Sequence, residues 1–333
     1  MDNFSERREK QSLFLKRNVG ELGARRLLPI AGILFKKEVD TVHEYLRAVG
    51  FSKIKDKEEL NRLLQMVEES YQSERTSGNR GGTDFSERKK EFAPGMGIIL
   101  RGEYDEKAKY QREYYFPYFQ GKEEKYYENV TVERHAEKES YAGVCDDISL
   151  GISIIFYVQN VADFLNEKRL NTLSSCTVTL KFSGLSTDGK ILLPVVKGMS
   201  EEENKDAVLQ RTKLLQAARE GDEAAIESLT MEDMDMYSMI SKRIANEDVF
   251  SIVATYFMPY GVECDHYNVL GEILKFELVE NSLTKEKIYV LTIESHDLIF
   301  DVCINEKDLM GEPQVGRRFK GVVWMQGEMI FHM

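Results

Sequence analysis

The sequence predicts an α+β protein in which an antiparallel sheet with helices is followed by a helical connector and a small β-barrel. Three patterns support this prediction: β-rich segments dominate residues 96–196, an acidic helical pattern covers residues 201–248, and alternating apolar residues return from residue 249. At 333 residues the chain exceeds the length that one hydrophobic core usually serves. More than one domain is therefore expected.

Four segments follow from these patterns: residues 1–38, 39–200, 201–248 and 249–333. In residues 1–38 nine Lys/Arg face five Asp/Glu. Such a basic terminus is either an arm for nucleic acid or membranes, or a disordered extension; the second interpretation is preferred because untethered termini bury little surface. We expect deletion of residues 1–38 to leave the fold intact.

Two helices are predicted at the start of the α+β domain. Apolar residues repeat at helical spacing over Thr41–Gly50, with Gly50 placed to end the helix. Asp56 is a typical N-cap for a second helix over Lys57–Tyr71. The polar, glycine-rich run Ser73–Thr83 lacks the spacing of a phosphate-binding loop, so it is interpreted as a mobile connection.

The sheet of this domain is predicted from short aromatic and β-branched runs between turn residues. A helix over Val161–Arg169 interrupts them, and Asp188 with Gly189 indicates a hairpin turn between the last two strands. The predicted strands are Met96–Leu100, Tyr110–Phe119, Val130–His135, Ile152–Gln159, Cys176–Phe182 and Ile191–Val195.

Five strands predict a small OB-like or SH3-like barrel over residues 249–333. The run Gly316–Phe331 alternates in polarity, holds the only tryptophan, Trp324, and contains glycines that suit a tightly coiled strand. Trp324 is expected to be at least half buried. The predicted strands are Val249–Phe257, Tyr267–Val279, Lys287–Ser295, Asp297–Ile304 and Arg318–Phe331.

Three segments together resemble a family of uncharacterised bacterial proteins, a domain of unknown function: residues 43–55, 237–265 and 316–331. The resemblance extends over about residues 42–333. Members of that family begin close to the position of His43, which implies that residues 1–41 stand outside the working fold. The resemblance implies no activity, cofactor or catalytic residue.

Charge and cysteine usage limit the function classes. The formal charge of −12 disfavours general polyanion binding, which needs clustered Lys and Arg. The apolar run Leu27–Phe35 is too short for a membrane span and is not placed as a signal peptide. The four cysteines form no CxxC pair, which indicates free thiols in a reducing compartment. We therefore expect a cytoplasmic protein.

The most interesting surface candidate is the aromatic stretch between Tyr104 and Tyr127. On a regular strand Tyr110, Arg112, Tyr114 and Tyr118 would share one face, where they could stack on a base, a sugar or a peptide. The alternative, which we favour, is a sheet face packed under helices, because strands are rich in Tyr and Phe for packing reasons alone.

Arg318 and Trp324 are candidate binding residues at the other end of the chain. Binding of single-stranded DNA or RNA would need them exposed together with Arg317 and Lys320.

No catalytic residue, metal site or cofactor is predicted. The usual ligand spacing of a zinc site is not matched by Cys264, Asp265, His266, His296 and Cys303. The sequence also contains neither the GxSxG motif of a nucleophile elbow nor the GxGxxG motif of a dinucleotide-binding loop. The first hypothesis is a non-enzymatic protein-binding or scaffolding protein, with a protein partner favoured over nucleic acid and no membrane association. The alternative is an enzyme of unknown class with its active site between the domains.

Overall fold

The protein has an α+β fold in which strands predominate over a few short helices. The computed structural model describes residues 42–78, 84–127, 130–134, 141–147, 150–173, 176–194, 213–214, 216–218, 221–231, 234, 253–261 and 265–332. The predicted extension 1–38 and most of the predicted connector 201–248 lie outside these residues.

The helices agree with the sequence. A 3-10 helix spans Glu44–Val49 and ends at Gly50, which has φ of 91° and leaves no room for a Cβ beside Asn281. Helix α1 spans Lys57–Ser70, and the Asp56 side chain accepts a hydrogen bond from the Glu59 amide at 2.8 Å. Helix α2 spans Val161–Leu170.

The first sheet has four antiparallel strands in the order β1-β2-β3-β4. The predicted mobile loop Ser73–Thr83 is wrong for residues 73–78, which form β1, while residues 79–83 lie outside the described residues. Cross-strand ion pairing of Glu74 with Arg88 at 2.9 Å explains how so polar a segment joins a sheet. The strands are β1 (Ser73–Gly78), β2 (Asp84–Ala93), β3 (Met96–Tyr104) and β4 (Tyr110–Phe119).

The second sheet is larger and mixed. Most of its pairings are antiparallel, but β9 runs parallel to β13 and β14, and β8 runs parallel to β15. Its strands are β5 (Glu124–Tyr127), β6 (Val130–Arg134), β7 (Tyr141–Asp147), β8 (Ile152–Val158), β9 (Thr177–Leu192), β10 (Tyr256–Pro259), β11 (His266–Glu280), β12 (Lys287–Ser295), β13 (Leu298–Asn305), β14 (Leu309–Met310) and β15 (Arg318–His332).

The predicted hairpin at Asp188 and Gly189 is wrong, because β9 runs through both residues as one strand. The Phe319 ring lies 2.5 Å from where a Cβ on Gly189 would be, so this glycine serves a close approach between strands and not a turn. A strand glycine beside an aspartate looks like a hairpin signal in sequence.

The large sheet crosses the boundary predicted near residue 249. Strand β9, from the predicted first domain, pairs with β15, from the predicted barrel, over fourteen positions. The separate C-terminal OB-like or SH3-like barrel is therefore not confirmed. Strand β11 pairs with both β12 and β15, and β9 pairs with both β13 and β15.

The two sheets are joined by buried polar groups as well as apolar packing. Arg101 on β3 pairs with Glu87 on β2 at 2.8 Å and donates to the carbonyl of Val158 at the end of β8. Glu87 also accepts from the amide of Ala162 at 2.8 Å, so a carboxylate from the first sheet caps the N-terminus of α2. The ion pair and these hydrogen bonds hold the two sheets together at their interface, which we call the seam.

Candidate functional site

A cluster of aromatic and titratable side chains lies in the seam between the 3-10 helix, the first sheet and the large sheet. Trp324 of β15 is buried, and its indole nitrogen donates to Asp265 Oδ2 at 2.8 Å. The other carboxylate oxygen of Asp265 lies 2.9 Å from Nδ1 of the partly buried His266, the first residue of β11. We refer to His43, Tyr45, Tyr115, Asp265, His266 and Trp324 as the seam cluster.

His43 brings the N-terminal end of the described fold into this cluster. Its ring lies 4.9 Å from the Trp324 ring, centroid to centroid, and its backbone amide donates to the Tyr115 hydroxyl at 2.8 Å. Its Nδ1 atom accepts from the Tyr45 amide at 3.4 Å, so the imidazole serves as the N-cap of the 3-10 helix. The Tyr45 ring in turn lies 5.6 Å from the His266 ring.

The environment of His43 favours the neutral imidazole. The pKa of His43 is lowered from 6.5 to about 4: burial is the largest cause, His266 also lowers it, and Asp265 acts in the opposite direction. At neutral pH the ring is therefore uncharged, and because Nδ1 accepts a hydrogen bond, the proton lies on Nε2.

The chemistry open to the seam cluster is proton transfer and hydrogen bonding. A carboxylate bonded to one ring nitrogen of an imidazole holds its orientation and raises its basicity, which is how general bases are arranged in many enzymes. Within the described ranges no group of three or more His, Cys, Asp or Glu side chains is placed to hold a metal ion. Residue Cys264, next to Asp265, lies outside them.

Tyr110 and Arg112, two predicted binding residues, lie on the α1 face of the first sheet. Arg112 pairs with Glu68 of α1 at 2.8 Å, and the guanidinium of Arg88 lies 3.8 Å from the centre of the Tyr110 ring. Both side chains are partly buried. Their polar and aromatic groups are thus in contact with neighbours in the same sheet and helix.

Tyr114 and Tyr118 lie on the opposite face, so the single aromatic face predicted for β4 is wrong. A β-bulge inserts Glu113 between Arg112 and Tyr114, which pair with the consecutive residues Gly102 and Arg101 of β3, and so reverses the alternation between Arg112 and Tyr114. Tyr118 is fully buried, with the Lys89 ammonium 4.3 Å from its ring centre. The bulge has no signature in the sequence.

Arg318 and Trp324 are both buried and do not form a shared exposed surface. The guanidinium of Arg318 donates to the backbone carbonyls of Leu193, at 2.8 and 3.0 Å, and Val253, at 2.6 Å. Arg318 therefore stabilises the chain around the start of β15. The burial of Trp324 confirms the prediction made for it.

The residues that complete the seam cluster are not predicted from the sequence. In the sequence Asp265 and His266 stand out only as possible metal ligands, and His43 only as part of a family resemblance. The one available signal is that His43 and Asp265 each lie in a segment that carries that resemblance. Nothing in those segments indicates that they meet at Trp324.

A second feature is the exposed half of β11. Residues 275–280 pair with β12 on one edge, and on the opposite edge no described strand pairs with them. Phe276 and Leu278 lie on this half strand and are both 44% exposed. An unpaired edge with apolar side chains can accept another extended segment through backbone hydrogen bonds.

The comparison with known families decides the affiliation of the chain. Residues 46–327 match a family described as "Domain of unknown function, E. rectale Gene description (DUF3881)". The chain belongs to this family. Neither the curated proteins nor the solved structures gave a significant match. Among the helices of the described residues, none has the length and apolarity that a membrane crossing requires.

Proposed function

We propose that this DUF3881 protein is a non-enzymatic binding or scaffolding protein of the cytoplasm that takes up an extended segment of a partner protein along β11. The observation that carries the proposal is the open edge of residues 275–280 with Phe276 and Leu278 exposed on it. Backbone hydrogen bonds along such an edge give affinity, and pockets for alternate side chains give specificity.

The chemistry of the edge describes the partner segment. Phe276 and Leu278 are two residues apart and so lie on the same face of the strand, which favours apolar side chains at every second position of the partner. Glu277 and Glu280 border them and form ion pairs with Lys122 and Lys285, while the chain carries −12 overall. The overall charge therefore favours a neutral or basic segment over an acidic one.

A protein partner is favoured over nucleic acid because the face on which an OB fold binds oligonucleotides is packed against the rest of the protein. We propose an OB-like arrangement for β9, β11, β12, β13 and β15, because their pairings lead from β11 through β12, β13, β9 and β15 back to β11. OB folds bind oligonucleotides on the face of their second and third strands, which in chain order would here be β11 and β12. Val279, Ile288 and Val290 on that face pack into the core shared with α1 and the first sheet.

Site-specific photo-crosslinking tests the proposed edge. A photoreactive phenylalanine analogue at position 276 is expected to give a discrete adduct with a partner protein in cells that express the chain. The same analogue at Leu170, an exposed residue of α2, serves as the matched control and is expected to give none. The captured partner is then purified for direct binding measurements.

Calorimetry with that partner decides whether the edge is the binding site. Phe276→Ser combined with Leu278→Ser is expected to weaken binding at least tenfold, because apolar contacts at an interface core contribute about 1–3 kcal/mol each. Leu170→Ser is expected to bind like the wild type. Equal affinity of the Phe276/Leu278 variant and the wild type would contradict the proposal.

An enzyme with its active site in the seam is the second candidate function, favoured by the contact between Asp265 and His266. Screening of the full chain against ester, amide and phosphoester substrates tests it. Any activity due to this site is expected to fall strongly in Asp265→Asn, which removes the charge that orients the imidazole. An activity that is unchanged in that variant arises elsewhere.

A further inference from the structure

The position of His43 between a helix terminus and the buried tryptophan makes it sensitive to protonation. The imidazole packs on Trp324 at a centroid distance of 4.9 Å and, through Nδ1, accepts from the Tyr45 amide at 3.4 Å. A protonated imidazole has no acceptor atom. Its Nδ1–H would then face the N–H of Tyr45, so protonation replaces a hydrogen bond with the repulsion of two donors.

We propose that His43 is an acid-operated gate whose protonation detaches its imidazole from Trp324 and opens the seam cluster to solvent. The gate acts independently of the partner binding proposed for β11. The movement of His43 is local, because packing and hydrogen bonds fix the 3-10 helix that directly follows it.

The 3-10 helix that follows His43 is anchored along its length. Leu46, Ala48 and Val49 are buried, and Val49 O accepts from Asn281 Nδ2 at 2.9 Å. Arg47 forms an ion pair with Asp308. The movement is therefore confined to His43 and the adjoining Val42, where the backbone changes from the extended conformation of His43 to the helix.

The groups that face His43 favour expulsion of a charged ring. His266 repels an imidazolium, and Asp265 already bonds both His266 and Trp324, so its charge is shared. Tyr115 of β4 contributes its hydroxyl, which accepts from the His43 backbone amide, and its ring, whose centroid lies 6.4 Å from that of the imidazole. The other neighbours are the uncharged rings of Tyr45 and Trp324 and the exposed carboxylate of Glu44, which adjoins His43 in the chain.

The direction of the pH dependence follows from the lowered pKa of His43. Its folded value of about 4 lies below the usual 6.5, so the closed contact is fully stable above pH 6.5. It weakens as pH falls from there and is lost near pH 4. Opening would expose the Trp324 ring, Asp265 and His266 together.

Because Trp324 is the only tryptophan in the chain, its fluorescence reports the gate directly. Acrylamide quenching of the full chain from about pH 7 to about pH 3 is expected to increase severalfold in one transition while circular dichroism stays constant. In His43→Asn, which keeps an N-cap acceptor but does not titrate in this range, the transition is expected to disappear.

A second variant separates the gate from general acid effects. His266→Asn removes the neighbouring imidazole that lowers the pKa of His43, so the transition is expected to move to higher pH. The proposal is overturned if the quenching transition persists in His43→Asn. It is equally overturned if circular dichroism is lost together with the quenching change, or if NMR shows His43 titrating while Trp324 stays shielded.

Discussion

The side-chain amide of Gln326 donates to the backbone carbonyl of Pro117 at 2.9 Å. Its Oε1 atom accepts from the Phe119 amide at 3.3 Å, so one glutamine of β15 makes hydrogen bonds that a neighbouring strand would otherwise make at the edge of β4. Pro117 has no amide hydrogen to contribute. The edge of the first sheet is thus completed by a side chain of the second.

Gln326→Leu is expected to lower the free energy of unfolding by about 2–4 kcal/mol, because each buried polar group left without a partner costs about 1–3 kcal/mol. Pro117 O and Phe119 N lose their partner, and Gln159 Nε2 loses one of its acceptors. Urea denaturation measures the change. Gln314→Leu, at an exposed position, is the control and is expected to stay within about 0.5 kcal/mol of the wild type. Similar values for both variants would show that the amide does not join the sheets.

Arg101→Met is expected to destabilise the protein by about 3–5 kcal/mol, since it leaves the Glu87 carboxylate buried without its ion-pair partner. The double variant with Glu87→Gln is expected to recover part of this loss, because the neutral amide can still accept from Ala162 and carries no buried charge. Chemical denaturation of both variants gives the comparison. A double variant less stable than Arg101→Met alone would argue against this account.

Trp324→Ala is expected to cost about 3–5 kcal/mol, the range for truncating a large buried aromatic residue. Trp324→Phe is expected to cost less, since it keeps a ring beside His43 and removes only part of the volume and the hydrogen bond to Asp265. Thermal and urea unfolding check this order. If the two variants are equally unstable, the hydrogen bond to Asp265 outweighs ring packing.

Glu74→Gln is expected to reduce the loss of stability on acidification. Burial alone would raise the pKa of Glu74, but hydrogen bonds from Ser86, Tyr104 and Arg88 outweigh it and lower the pKa from 4.5 to about 2. Because the folded value is the lower one, this stabilisation is complete above pH 4.5 and is lost as pH falls towards 2.

Denaturation series across this pH range test the contribution of Glu74. Glu312→Gln, which removes one exposed carboxylate far from His43 in the chain, is the control for net charge and is expected to leave the slope of stability against pH almost unchanged. A slope in Glu74→Gln that equals the wild-type slope would mean that the network around Glu74 contributes nothing to acid sensitivity.

The chain is expected to bind neither single-stranded DNA nor RNA measurably at physiological salt. Arg318 is buried on backbone carbonyls and Trp324 is buried in the seam, so neither is free to contact a phosphate or stack on a base. Fluorescence anisotropy with labelled oligonucleotides is the measurement. Micromolar or tighter binding that weakens steeply with salt would reverse the preference for a protein partner.

Local chemistry explains which parts of the fold could be predicted from sequence. Some elements depend only on residues that are close together in the chain, so a short segment is enough to predict them. These are the helix capped by Asp56, the helix end at Gly50, and strands such as Tyr110–Phe119 and Lys287–Ser295. Strands β1 and β2 were missed because polar cross-strand pairs hold them, and these depend on residues elsewhere in the chain.

The seam cluster could not be predicted for the same reason. Its members come from the 3-10 helix, β4, β11 and β15, and only long-range strand pairing brings Trp324 opposite His266. Burial of Trp324 follows from residue type, whereas its bond to Asp265 and its contact with His43 follow from topology. The four predicted binding residues of β4 do not form one surface, because a single bulge at Glu113 divides them between two faces.

The pairing of β9 with β15 also constrains how the protein is made. Strand β9 ends at Leu192, whereas its partner β15 does not begin until Arg318. During translation β9 therefore cannot pair with β15 until the intervening residues have been synthesised. Contacts between residues so distant in sequence form slowly and leave strand edges exposed in the meantime. Nascent chains arrested before residue 318 are the species that we expect to need chaperones most.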